Sequence, residues 1–283
     1  MLTVGSFFWL TPIGPNGTMG TLNNTERQRM NKIVIFAGAG ISEESGLSTF
    51  RCQDGLWENY DVSKICDLLQ FFQDRMDGNQ QARQDVFDFY NMRKLNIQNA
   101  KPNLAHLKIA EWQQTFGADR VQIVTSNIDD LFEKAGCVNV VHVHGDTNSM
   151  KCLVCDEEWH IGDDPFDSQE ACPGCGSDFT KPNVVFFGEN APEYVTMGSI
   201  YQSGNRNAGD LFFYVGSSMN VIHPLRLFRG ETKETRILVD INAHQLAGCG
   251  VRFDVVLQGT ATESFSRINL TLKNDKIIGE ILK

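Results

Sequence analysis

Short runs of β-branched and aromatic residues recur along the chain, separated by stretches with helical spacing. This is the pattern of a parallel sheet covered on both faces. Strands are expected at 32–36, 121–125, 140–143, 184–187, 211–215, 237–241 and 255–257. Between the first two, the spacing predicts helices over about 83–95 and 102–116. The second opens on Pro102, whose missing N–H is no loss in a first turn. The expected fold is a doubly wound α/β domain.

Two segments interrupt it: 56–95, rich in helix formers, and 150–180, which has almost no apolar periodicity. Neither buries enough apolar surface to fold alone, so each must lean on the sheet or on a metal. The core is then 32–55, 96–149 and 181–283. Residues 1–31 are expected to form a mobile extension, because Pro12, Gly14, Pro15, Gly17 and Gly20 interrupt any periodic run.

Composition narrows the function classes. The 283 residues are 41% hydrophobic, with no uninterrupted apolar stretch of the roughly 18 residues a membrane span needs. The apolar residues Phe7 to Leu10 lack the basic lead of a signal peptide. A net charge of −10 argues against nucleic acid as a partner, since phosphate binding needs clustered Lys and Arg. A small molecule or a cationic protein segment suits this balance, no membrane is expected, and a monomer is favoured.

Four of the eight cysteines form two pairs, Cys152-x-x-Cys155 and Cys172-x-x-Cys175. Two residues between thiolates let one tight turn aim both sulfurs at one ion, and two such knuckles make a tetrahedral four-thiolate site. Two disulfides or a redox pair are the competing readings. A closed site has no place for water, so zinc here is structural, and the compartment is expected to be the reducing cytoplasm. Cys52, Cys66, Cys137 and Cys249 are scattered.

Strand 32–36 runs into Gly38-Ala39-Gly40, then Ile41-Ser42-Glu43-Glu44-Ser45-Gly46. Glycines let backbone approach a pyrophosphate, and a following helix N-terminus supplies N–H groups for it. The third glycine lies later than the dinucleotide fingerprint requires, so a ligand-free turn is the plain alternative.

The full string from Gly38 to Phe50 and Arg51 resembles the signature loop of the sirtuins, NAD-dependent protein-lysine deacylases. Further resemblances follow in order over about 32–266. Thr125-Ser126-Asn127-Ile128-Asp129 is similar to the family's nicotinamide-site motif, and His142-Val143-His144-Gly145 to its catalytic His-Gly. Val184-Val185-Phe186-Phe187-Gly188-Glu189 resembles its substrate loop, Gly216-Ser217-Ser218-Met219-Asn220-Val221 a nucleotide loop, and Ile241-Asn242 an adenosine-ribose contact. The resemblance implies a Rossmann-like domain, an inserted zinc module, NAD as co-substrate and an acylated lysine bound between the two.

It also implies roles. Gly38, Ala39, Gly40, Ser42, Phe50, Arg51, Ser126, Asn127, Asp129, Gly216, Ser217, Ser218, Asn242 and Ala261 would contact NAD, with Asn127 and Asp129 at the carboxamide and Phe50 over the ribose. His144 would be the general base that activates a ribose hydroxyl. His142 falls on the same strand face and is left structural; His106 resembles a position that packs or caps a helix. Two departures stand out. Ser126 replaces the family's usual Gln, and Gly259-Thr260-Ala261 replaces an acidic-cysteine pair, so weaker NAD binding is expected.

Tyr90 and Arg93 lie at i and i+3, where phenol and guanidinium can converge on a carboxylate. This Tyr-x-x-Arg resembles the pair that desuccinylase and demalonylase sirtuins use to hold an acidic acyl chain, and Cys66 falls near a small residue of their acyl pocket. The plain alternative is an amphipathic helix with a packed Tyr and a solvated Arg. The implied substrate contacts are Tyr90, Arg93, Cys66, Val184, Val185, Phe186, Phe187, Gly188 and Val221. The expected activity is a deacylase favouring succinyl- or malonyl-lysine over acetyl-lysine, giving nicotinamide and O-acyl-ADP-ribose. An ordinary deacetylase, an NAD glycohydrolase or ADP-ribosyltransferase, and a non-catalytic binding module are the alternatives.

Overall fold

All five residues of strand β1 (Ile33–Ala37) are buried. Successive side chains enter opposite layers: Ile33, Ile35 and Ala37 join one apolar cluster, Val34 and Phe36 the other. A strand covered on both faces must read as an unbroken apolar run, and this one does. The computed structural model describes residues 31–48, 61–202, 206–223, 227 and 233–281. Phe50, Arg51, Cys52 and residues 1–30 lie outside them.

The elements following β1 are α1 (Val62–Ile65), α2 (Leu68–Met76), α3 (Gln80–Asn99), α4 (Leu104–Phe116), β2 (Val121–Thr125) and α5 (Leu131–Lys134). Next come β3 (Val140–His142), β4 (Gly145–Cys152), β5 (Glu158–His160), β6 (Thr180–Val184), α6 (Tyr194–Ile200), β7 (Leu211–Val215), β8 (Thr235–Asp240) and α7 (Ala243–Leu246). The described chain closes with β9 (Val255–Gln258), α8 (Ala261–Ser266), β10 (Ile268–Lys273) and β11 (Lys276–Ile281). Six strands form one parallel sheet in the order β3-β2-β1-β7-β8-β9. The order reverses between β1 and β7, and in such sheets the crevice beyond the carboxyl ends at that point is where ligands bind. Among the described residues no helix is long and apolar enough to cross a membrane.

Three expected boundaries move. The sixth strand lies at Thr180–Val184, not at 184–187, and Val185 to Phe187 are loop. Its polar residues disguise it, yet Thr180 and Lys181 are fully buried, Thr180 bonded to the Glu170 carbonyl and Lys181 paired with Glu189 over the Phe186 ring. Helix α4 starts after Pro102: Asn103 is its N-cap, with Oδ1 accepting from the Ala105 N–H. Asn31 is no part of an extension. Its amide donates to the Gly209 and Ile277 carbonyls and accepts from Ile277 N–H and Arg120, tying β1 to the β10-β11 hairpin.

The helical and cysteine-bearing segments lean on each other more than on the large sheet. Phe71, Val86, Phe87, Phe89 and Tyr90 share a buried cluster with Met150, Phe166, Val184 and Phe186. The second sheet, β5-β4-β6, reaches past 150–180 at both ends. Arg83 staples the two segments from inside, donating to the Ser168 and Asp178 carbonyls at 2.8 Å each.

Candidate active site and metal centre

The cysteine knuckles meet. Cys152 Sγ lies 3.6 Å from Cys175 Sγ, and Cys155 Sγ 3.6 Å from Cys172 Sγ; all four sulfurs fall within 4.8 Å of one another. A disulfide needs about 2.05 Å, so neither pair is one. A tetrahedral ion with Zn–S bonds of about 2.3 Å places its sulfurs roughly 3.8 Å apart, which these positions match. The donor set is four soft thiolates, with no open position. It fits zinc as a brace for the β4-β6 module.

At the reversal point of the large sheet, β1 ends in Gly38, followed by two short 3₁₀ turns, Ala39–Ile41 and Glu43–Ser45. The Ala39 N–H, at the start of the first turn, has no partner within it. Ser217 and Ser218 follow β7 on the same rim, after Gly216 at a φ of 58°. A Cβ on Gly38 would meet the Gly216 carbonyl at 2.7 Å, and one on Gly40 the Gly216 Cα at 2.8 Å. The glycines are therefore dictated by loop-on-loop packing, which lines this rim with backbone. Asn242 sits exposed after β8, and the buried Ala261 opens α8, whose Thr262 N–H donates to Glu44 of the glycine loop. These residues form a backbone-rich edge of the chemistry a dinucleotide needs. Phe50 and Arg51, assigned to the same ligand, lie outside the described residues.

After β2 the chain turns inward. Ser42 Oγ donates to Asp129 Oδ2 at 2.9 Å, and the Asn127 amide donates to the Gly38 carbonyl and to Ser42 Oγ. Asn127 and Asp129 are buried. Burial pushes the Asp129 carboxyl up, while Ser42 and the Leu131 N–H hold it down. Ser126 turns its hydroxyl to the Ala37 carbonyl at 3.4 Å, so this side chain faces the sheet end rather than reaching outward as a longer glutamine would.

The two histidines contact consecutive carbonyls of this turn. Strand β3 stops at His142, yet the alternation persists: His142 Nδ1 meets the Asn127 carbonyl at 2.9 Å and His144 Nδ1 the Ser126 carbonyl at 3.2 Å. Their outer nitrogens differ. His142 Nε2 pairs with Glu133 at 3.0 Å; burial lowers its pKa, but Glu133 and the Asn127 carbonyl outweigh that and the net shift is upward. His144 has no such carboxylate, and burial lowers its pKa against the pull of the Ser126 carbonyl. Near neutrality His144 is therefore an imidazole in its base form, whereas His142 is tied to Glu133 and holds its proton to higher pH than His144 does. His106 is structural: fully buried against Phe132, bonded to Asn103, and pushed down to about 4 by desolvation.

The substrate-loop residues wrap the other side. Val185 N–H donates to the His144 carbonyl, and Phe187 N–H to the Cys66 carbonyl. Phe186 and Val184 are buried, Phe187 and Val221 are half exposed, and Gly188 takes a φ of 83°. Sequence reasoning missed what holds this loop. Lys181 Nζ, fully buried, bridges Glu189 at 3.0 Å and the Val184 carbonyl at 2.7 Å, while Glu189 accepts the Phe186 N–H. Desolvation brings the Lys181 pKa down to about 8. Replacing Lys181 by methionine leaves a near-buried carboxylate without its cation. The expected cost is about 3–5 kcal/mol, read as a fall in denaturant midpoint with unchanged slope.

Helix α3 supplies Tyr90 and Arg93. Tyr90 is buried, stacked on Phe186 at 5.7 Å, and its hydroxyl donates to Cys66 Sγ at 3.4 Å. Burial holds the phenol protonated, well above its usual range. Arg93 is half-buried, reaches toward the Ser48 carbonyl at 3.5 Å, and feels Asp129, Tyr90 and Cys66 electrostatically. Tyr90 is thus fixed against Cys66, with Arg93 one helical turn on and within electrostatic reach of Asp129.

Comparison with known proteins agrees with this architecture. The family model described as "Sir2 family" matches residues 38–223. An NAD-dependent protein deacylase of Campylobacter jejuni is 40% identical over 193 residues, covering 68% of this chain and 76% of its own. One from Caulobacter vibrioides is 35% identical over 238 residues, covering 82% and 92%. A crystal structure of a Sir2 homolog–NAD complex superposes with a TM-score of 0.68 at 28% identity, covering 84% of this chain and 88% of that one. With its doubly wound sheet, four-cysteine centre and matched motifs, this chain belongs to the Sir2 family.

Proposed function

We propose that this Sir2-family protein is an NAD-dependent protein-lysine deacylase that prefers succinyl- or malonyl-lysine and removes acetyl groups more slowly, acting in the cytoplasm. The observation that carries the acyl preference is the placement of Tyr90 and Arg93 beside Cys66 and within electrostatic reach of Asp129. A solvated arginine on an outer helix face would not feel these groups. A protonated phenol and a guanidinium, both largely desolvated, suit a carboxylate-tipped chain. The names of the deacylase relatives support the reaction class; the preference rests on the two donors.

NAD, when bound, supplies a ribose carbon that nicotinamide leaves and a ribose hydroxyl that receives the acyl group. Asn127 and Asp129, fixed by Ser42 and the Gly38 carbonyl, would hold the carboxamide end. The Ala39 N–H of the glycine loop and the Ser217–Ser218 rim would face the phosphates, the Gly38, Gly40 and Gly216 N–H groups being bonded to the Val215, Gly216 and Val239 carbonyls. The lysine amide oxygen would be captured at the carbon that nicotinamide leaves; His144 Nε2 would take the proton of the ribose hydroxyl as its oxygen attacks the amide carbon, and with one water consumed the lysine would leave as a free amine.

Arg93→Met tests the preference. Desuccinylation is expected to fall about 10- to 100-fold, the worth of a charge-assisted hydrogen bond, while deacetylation stays within about threefold. Equal loss of both activities would make Arg93 a structural residue and remove the acidic-acyl reading.

A further inference from the structure

The carbonyl of Ser126 can only accept, so in neutral His144 it is Nδ1 that carries the ring proton. Nε2 then holds the lone pair, and the Tyr194 hydroxyl donates to it at 3.0 Å. The rings are 6.0 Å apart and tilted by 47°, so the contact runs through the hydroxyl and not through stacking. An imidazole nitrogen has one in-plane lone pair. The atom that must receive a proton from a ribose hydroxyl is therefore already hydrogen-bonded in the ligand-free protein.

We propose that Tyr194 is a positioning residue that holds the His144 ring with Nε2 as the accepting nitrogen, and that a ribose hydroxyl displaces its phenol to use the same lone pair. The proposal rests on the deacylase reading for its second half only. Tyr194 opens α6, five residues beyond Glu189 of the substrate loop. It is half-buried, so its hydroxyl has a path away from the ring. The neighbouring charged groups are held elsewhere: His142 by Glu133, Asp129 by Ser42 and the Leu131 N–H. Tyr194 is thus a polar partner the base can exchange without separating an ion pair.

The experiment is Tyr194→Phe, read two ways. In the ligand-free protein the His144 ring resonances are titrated by NMR. A donor to the neutral form lowers the pKa, so its removal raises the His144 midpoint by roughly half a unit to one unit. The His142 resonances should titrate as in the wild type, which shows that the fold is kept. In steady-state assays at saturating acyl peptide, kcat/KM for NAD rises about threefold above its acidic limb, and that limb moves to higher pH, with a smaller effect on kcat. An unmoved His144 midpoint overturns the proposal. So does a fall of kcat and kcat/KM by the same factor, which would put Tyr194 in the chemistry itself. Wild-type protein that turns over no acyl peptide would refute the deacylase reading, and the titration would still decide whether Tyr194 holds His144.

Discussion

His144→Ala is expected to lower kcat for NAD-dependent deacylation by about 10²- to 10⁴-fold, the span attributed to a positioned general base. The fold should survive, because His144 lies in the turn between β3 and β4 with one backbone partner and one phenol on its ring, outside the apolar clusters. The wild-type pH profile gives the sign. The base must be neutral, and burial lowers its pKa from the ordinary histidine value of 6.5. Activity is therefore retained at neutral pH and lost as pH falls through a midpoint below 6.5. His142→Ala should behave differently: it leaves Glu133 without a partner and removes a contact to the Asn127 carbonyl, without removing the proton acceptor. Retention of more than about a tenth of the wild-type rate by His144→Ala would move the base elsewhere.

Zinc removal should have a comparable effect by a different route. Cys152 ends β4, which pairs with β6, and β6 leads straight into Val185 and Phe186. Without the ion the four sulfurs take up protons and lose the bonds that held them to one centre, so the knuckles open. Met150 and Phe166 then lose their seat in the cluster shared with Tyr90 and Phe186. A strong chelator is expected to cut activity at least about tenfold and lower the thermal midpoint, with both restored by zinc. Full activity in a protein shown by elemental analysis to be metal-free would contradict the structural role.

Much of this was legible in the chain. β2 and β7 lie where their β-branched and aromatic runs place them, because strands buried on both faces carry an unambiguous signal. The cysteine spacing named its own geometry. What stayed hidden was polar structure made stable by long-range partners. Thr180-Lys181-Pro182-Asn183 does not look like a strand, and only Glu189 and the carbonyl of Val184 explain how Lys181 can be buried there. The final hairpin had a readable cue that the strand list omits: Asn274 and Asp275, at φ of 51° and 59°, form a two-residue turn between alternating strands β10 and β11. Tyr194 had none, because fifty positions separate it from His144 and no periodicity links them.

The site residues show the same division. Ser42, Asn127, Asp129 and His144 converge as the motifs imply. The partners that distinguish the two histidines, Glu133 for one and Tyr194 for the other, emerge only once the chain is folded. That distinction gives the two rings different chemistry.

The central claim is acyl transfer from lysine to the ADP-ribose part of NAD, with loss of nicotinamide and an acidic preference. Its most direct test incubates the protein with NAD and, separately, succinylated, acetylated and unmodified lysine peptide, with products identified by mass. The account predicts nicotinamide and O-acyl-ADP-ribose in equal amounts, faster from succinyl- than from acetyl-lysine, and no turnover with the unmodified peptide. Free ADP-ribose released at the same rate whether or not an acyl peptide is present would contradict it.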